Sequence, residues 1–276
     1  MGYWTIDEHD DGVIVATYSN PPKNYFCADG VAEFAELIQD WNAPHIRVVV
    51  LTGSAAEGAF ITHYSVEELL AAASDRDALR RSGTALNRGY YSTLQSLQDL
   101  PAATIAALNG DAMGGGLELA LACDVRVAQN GDYRYGFPEV KLGITPGGSG
   151  TQRLTQMLGP SAAIDLMLRA RLLRPGQAVA AGIVHEASDD ALATAVTIAH
   201  DIAAAPPRAV AAIKRSVYGL SGAALSTGLQ LEAANFLDTM LSDDAVAAMA
   251  AYVAVPVDKR RDWIEQHLDD LRYSGT

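Results

Sequence analysis

The segment NGDAMGGGLELALACD (residues 109–124) sets three consecutive glycines, Gly114, Gly115 and Gly116, before an apolar run with one carboxylate, Glu118, inside it. Both choices oppose folding, since glycine weakens a helix and glutamate resists burial. Chemistry offers a reason for each. The first amides of a helix lack internal partners and carry the positive end of its dipole. Glycine leaves them open to close approach, so they can stabilise negative charge growing on a carbonyl oxygen. Tight packing of helix on strand accounts for the same glycines equally well. A second carboxylate, Glu139, follows Pro138 in YGFPEVKLGITPGGSG (residues 135–150). Singly, each glutamate reads as structural. Together, beside open amides, they make a set that takes one proton and gives another, provided their surroundings separate their acidities.

Other glycine-rich places lack the completing residues. GSAAEGAF (residues 53–60) has no Lys-Ser/Thr after it, as a phosphate loop needs. No acidic residue convincingly completes a dinucleotide fingerprint after GDAMGGG. TPGGSGTQRL (residues 145–154) reads as a turn and helix cap. Of 276 residues, 49% are hydrophobic and 19% charged, a globular balance. The formal net charge of −13 repels phosphate backbones and argues against a nucleic-acid partner. An anionic ligand would need local cations or backbone amides. No apolar run has the length of a membrane span, and the acidic start MGYWTIDEHDDG shows no signal segment, so a cytoplasmic protein without a membrane partner is expected. The two cysteines, Cys27 and Cys123, have no metal-ligand spacing; neither a disulfide nor structural zinc is expected.

These residues need elements to hold them. Four β-branched runs, GVIVATYS, RVVVLTG, ATIAALNG and DVRVAQ, read as strands. A helical pattern over about 31–41 separates the first two, and residues 65–100 turn helical again. That alternation predicts right-handed crossovers and a largely parallel sheet. Past about residue 150 the strand signal fades, except at GIVHEA near Ile183. The remainder is Ala-rich and helical: SAAIDLMLRA, ALATAVTIAHDIAA, RAVAAIKRSVYG, a long segment over 225–251 and a charged terminal helix. So much apolar helix surface suits subunit packing, or packing within the domain.

Taken together, NPPKN, VVVLTG, GAF with its loop and EEL, NGDAMGGGLELALACD, YGFPEVKLGITPGGSGTQRL and AAGIVHE resemble the crotonase (enoyl-CoA hydratase/isomerase) superfamily, from Asn20 to about Met249. The resemblance implies an α/β fold, a crotonase-like spiral of ββα units with a C-terminal helical region. Residues 1–195 would form the spiral core with the active site, and 196–276 the region for oligomerisation and active-site cover. It implies a homotrimer or dimer of trimers acting on an acyl-CoA substrate, with no cofactor and no metal. Carried over by position, the oxyanion-hole amides fall on Gly115 and Tyr64, and the hydratase glutamates on Glu118 and Glu139. Glu118 would deprotonate water and Glu139 would deliver a proton to C2 of a trans-2-enoyl thioester. Substrate contacts fall on Lys23, Ala59, Thr62, His63, Gly114 and Gly147. Lys23 is the nearest cation for the CoA phosphates, with Lys214, Arg215 and the DKRR segment around Lys259 as further ones. Where family members carry Ala-Gly-Ala-Asp, this chain has Thr62, His63, Tyr64 and Ser65. The Tyr64 ring is expected to crowd the acyl side, and His63 to pack in the loop. Two other readings stay open: Δ3–Δ2 isomerisation by one carboxylate, and acyl-CoA binding without turnover.

Overall fold

The computed structural model of the chain describes residues 2–82, 85, 87–219 and 256. The helices expected over 225–251 and at the C-terminus, and Lys259, lie outside them. The first β-branched run forms β2 (Val13–Tyr18), joined as a hairpin to β1 (Trp4–Glu8), a strand whose mixed polar pattern gave no signal. The other three runs form β3 (Val48–Gly53), β5 (Ala103–Leu108) and β7 (Val125–Gln129). With β10 (Glu186–Ser188) they complete a six-stranded sheet, ordered β1-β2-β3-β5-β7-β10 and parallel from β2 onward. The last strand starts beyond Ile183, because Ile183 and Val184 both donate their amides to Ala178 O in the turn ending α7 (Pro175–Ala180).

A second sheet explains the spiral. It contains β4 (Ala59–Ile61), β6 (Asp111–Met113), β8 (Tyr135–Gly136) and β9 (Leu172–Leu173), in that order. After β3, β5 and β7 in turn, the chain steps to the second sheet as β4, β6 and β8, then enters helix. The helices are α2 (Val66–Ser74), α3 (Arg76–Ser82) and α4 (Arg88–Asp99) after β4, α5 (Gly115–Ala122) after β6, and α6 (Gly150–Leu168) after β8. Each step is one ββα coil. α6 begins eleven residues earlier than the SAAIDLMLRA pattern, interrupted at Gly159 (φ 75°) beside Pro160.

Period-two alternation divides the core. Val13, Val15, Val48, Val50, Ala103, Ile105 and Val127 point to one face of the large sheet, where α8 (Ala191–Ala203) covers them. Ala191, Ala195, Ala199 and Ala203 recur every four residues, which presents one small-residue stripe to the sheet. That stripe is therefore used within the chain itself, and a boundary after residue 195 would cut α8. The alternate set, including Ile14, Ala16, Tyr18, Val49, Leu51, Ala106 and Leu108, faces the other way, toward α1 (Ala28–Asp40), α4 and α5. The chain then runs through α9 (Pro207–Tyr218). Cys27 and Cys123 are buried and free. Among the described residues no helix is long and apolar enough to cross a membrane.

Candidate active site

Each coil delivers one segment to a common edge. The segment after β4 is held by Phe26, whose amide donates to His63 O at 2.8 Å and whose carbonyl accepts from Ser65 N at 2.7 Å. Bonding on both sides of Tyr64 turns the Tyr64 N–H the other way, as in any parallel bridge. It faces the start of α5: a Cβ built on Gly115 would stand 3.1 Å from Tyr64 N and 3.0 Å from Tyr64 Cβ. Neither the Tyr64 N–H nor the Gly115 N–H finds an acceptor among the described residues. Two open donors thus sit beside each other.

The three glycines have separate reasons. A Cβ on Gly116 would lie 1.7 Å from Ile61 O, so this position serves close packing of α5 on β4. Gly114 turns the chain with φ 46° and ψ −123°, and a Cβ there would meet Glu139 Oε1 at 2.8 Å. Gly115 lies between them, opposite Tyr64. The two explanations open at the sequence level, packing and amide exposure, apply to different glycines of one triplet.

Glu118 is 2% exposed. Its Oε1 accepts from Gly148 N and Gly150 N, both at 2.7 Å. Ser149 between them takes a left-handed φ of 89°, which lets two nearby amides converge on one oxygen. The GGSG turn is therefore the donor loop of a buried carboxylate, a role absent from the cap reading. Burial raises the Glu118 carboxyl, while these two amides and the Arg153 charge oppose the rise. Glu139 opens the 3-10 turn Glu139–Leu142 and is 8% exposed. Its Oε2 is buried without a hydrogen-bond partner among the described residues. Burial lifts its carboxyl to about 7, and the Glu118 charge adds to the rise. The two acids feel each other but are unequally supported.

Three residues that sequence reasoning missed hold this arrangement. Arg153, buried in α6, donates Nε to Ser149 Oγ at 2.9 Å and Nη1 to Gln98 Oε1, tying the donor loop to α4. Tyr90 of α4 donates its hydroxyl to Gly115 O, and its ring rests against Tyr64 and Phe26. Asn24, fully buried with φ 55°, donates Nδ2 to Phe60 O at 2.8 Å and accepts Asn20 N at 2.7 Å. Its carbonyl takes Thr62 N, so it fixes the course of β4 into the Tyr64 segment. The polar NPPKN motif was the available signal for Asn24; for the other two, an arginine and a tyrosine in helical text give none.

The remaining expected contacts fall around this edge. Lys23 is exposed, and its carbonyl accepts Thr62 Oγ1 at 2.6 Å. Ala59 is buried in β4. His63 stacks on Tyr25 at 4.4 Å, with Nδ1 2.7 Å from Tyr64 O. Gly147 O accepts Asn87 Nδ2 at 2.6 Å. Burial, and next to it the neighbouring Glu68 carboxylate of α2, raise the Tyr64 phenol. Lys214 is not a surface cation: it is buried, 2.7 Å from both Asp124 Oδ2 and Ala102 O, so its charge is spent within the fold.

A family model described as enoyl-CoA hydratase/isomerase matches residues 8–265. The chain belongs to that family. It is 34% identical over 264 residues to a probable enoyl-CoA hydratase of Mycobacterium bovis, covering 92% of this chain and 96% of that one. It is also 34% identical over 218 residues to the fatty acid oxidation complex subunit alpha of Shewanella putrefaciens, over 78% of this chain. That match spans about 30% of the relative's length. A crystal structure of an enoyl-CoA hydratase from Bacillus anthracis superposes with a TM-score of 0.82 at 28% identity, covering 91% of this chain and 95% of that one. The family member described here thus has the crotonase fold, with its glycine triplet and both acids at one edge.

Proposed function

We propose that the chain hydrates a trans-2-enoyl-CoA thioester. The reading rests on one observation: two unequally supported buried carboxylates beside two facing, unpartnered amides. The thioester oxygen would accept from the Tyr64 and Gly115 N–H groups. Glu118, raised by burial against the opposing pull of the donor loop and Arg153, would take a proton from water as the oxygen bonds to C3. The electron pair of the double bond moves to C2 and onto the thioester oxygen, where the two amides stabilise the enolate. Glu139, raised by burial to about 7 and so protonated in about half of the molecules at neutral pH, would give its proton to C2. Each oxyanion amide is worth about 3 kcal/mol in the transition state. No step needs a cofactor. Lys23 would meet the CoA phosphates at the edge, against the unfavourable overall charge. The region beyond α8 would serve oligomerisation as a trimer or dimer of trimers, in a cytoplasmic enzyme of fatty acid metabolism.

The test is the loss of conjugated-enone absorbance with crotonyl-CoA. Glu118→Gln and Glu139→Gln should each cost about a hundredfold or more in kcat. Near-native hydration by both variants would overturn the assignment. Gain of absorbance from a 3-enoyl thioester, without hydration of crotonyl-CoA, would replace hydration by isomerisation.

A further inference from the structure

Tyr90 places a bulky side chain among the groups of the proposed reaction. Its hydroxyl is bonded to Gly115 O and lies 3.4 Å from the Cβ position of Gly115. On the other side, its Cε1 and Cδ1 come within 2.3 and 2.6 Å of the Cβ position of Gly148, whose amide holds Glu118. The ring therefore bridges the gap between the oxyanion glycine and the donor loop, alongside the Glu118 carboxylate. The Glu118 charge reaches it, adding to the burial that raises the phenol. Three contacts keep it from swinging aside: Phe26 edge-on at 5.7 Å, Tyr64 at 5.7 Å, and the Gly115 hydrogen bond. One helical turn earlier, Asn87 ties the same helix to Gly147.

We propose that the Tyr90 ring ends the acyl slot and confines this site to short acyl chains. The inference deepens the hydratase reading and rests on it. If the thioester oxygen sits at Tyr64 N and Gly115 N, with C3 at Glu118, the chain beyond C3 runs along the Glu118 side. There it meets an aromatic wall. A hydrophobic slot discriminates by about tenfold or more per misplaced methylene, so several methylenes pressed against a pinned ring leave little turnover.

The experiment compares kcat/KM for crotonyl-CoA and trans-2-decenoyl-CoA in the wild type, in Tyr90→Ala and in Tyr90→Phe. The wild type should favour crotonyl-CoA by at least about tenfold. Tyr90→Ala should narrow that preference by about tenfold or reverse it, while Tyr90→Phe, which keeps the ring, retains it. Equal use of both substrates by the wild type overturns the proposal even if Tyr90→Ala fails to fold. An unchanged preference in a folded Tyr90→Ala overturns it too. Should the wild type turn over neither substrate, the hydration reading fails, and calorimetry with butanoyl-CoA and decanoyl-CoA decides the acyl wall alone. Tighter binding of butanoyl-CoA, lost in Tyr90→Ala, supports it; equal affinities overturn it.

Discussion

Replacing Glu139 by glutamine should remove activity and add stability, and the gain should depend on pH in a definite direction. Burial holds this carboxyl at about 7 rather than its ordinary 4.5. The folded protein therefore binds this proton more tightly than the unfolded chain does. Below the ordinary value both states are protonated and the group costs nothing. As pH rises to about 7 the unfolded chain ionises first, and stability is lost. Above that point the folded state carries a buried anion whose Oε2 has no partner among the described residues. At about 1.4 kcal/mol per pH decade, the gap amounts to about 3 kcal/mol by pH 8 and to less than about 1 kcal/mol at pH 5. The amide that replaces the acid brings its own burial cost, which does not vary with pH. The readout is therefore the difference between two pH values, not the stability at either. Urea denaturation of wild type and Glu139→Gln at pH 5 and pH 8 should show the variant gaining about 2 kcal/mol between them. A gain that is the same at both values would refute the buried, ionising carboxyl, and with it the basis for making Glu139 the acid.

Other substitutions probe the scaffold around the two acids. Gly116→Ala places a methyl 1.7 Å from Ile61 O, so the start of α5 or β4 must shift. We expect a loss of about 1–3 kcal/mol in denaturation, with hydration impaired alongside. Asn24→Ala removes the donor to Phe60 O and the acceptor of Asn20 N within a fully buried site. It should cost about 2 kcal/mol and lower the thermal midpoint. Arg153→Met removes the cation that opposes the Glu118 rise, so the acid limb of the kcat/KM profile should move to higher pH. An unmoved limb would separate Glu118 from the base role.

The sequence exposed those parts of the fold whose signal is local. VVVLTG and ATIAALNG are mainly apolar runs because β3 and β5 are buried on both faces, and they read as strands for that reason. The second sheet was invisible. Its strands β4, β6, β8 and β9 have two or three residues each, too few for any period, and exist through pairing with distant segments. The candidate site divides the same way. Glu118 stood out because a carboxylate in apolar text violates local expectation, whereas Glu139, ordinary after a proline, gained weight only when paired with it. Tyr90, Arg153 and the GGSG donor loop are ordinary in their own context. They matter through contacts with residues far along the chain, which only the folded molecule brings together.

The two-sheet winding has a consequence for how such a site can change. The strand ladder sets the spacing of the coils, while each functional segment protrudes past the ladder's end as a separate piece. Thr62, His63, Tyr64 and Ser65 can therefore differ in side chain while the Phe26 bonds go on aiming the same amide. Side chains on that strap are free to vary without re-aiming the Tyr64 amide, because the group that the proposed reaction takes from it is main chain.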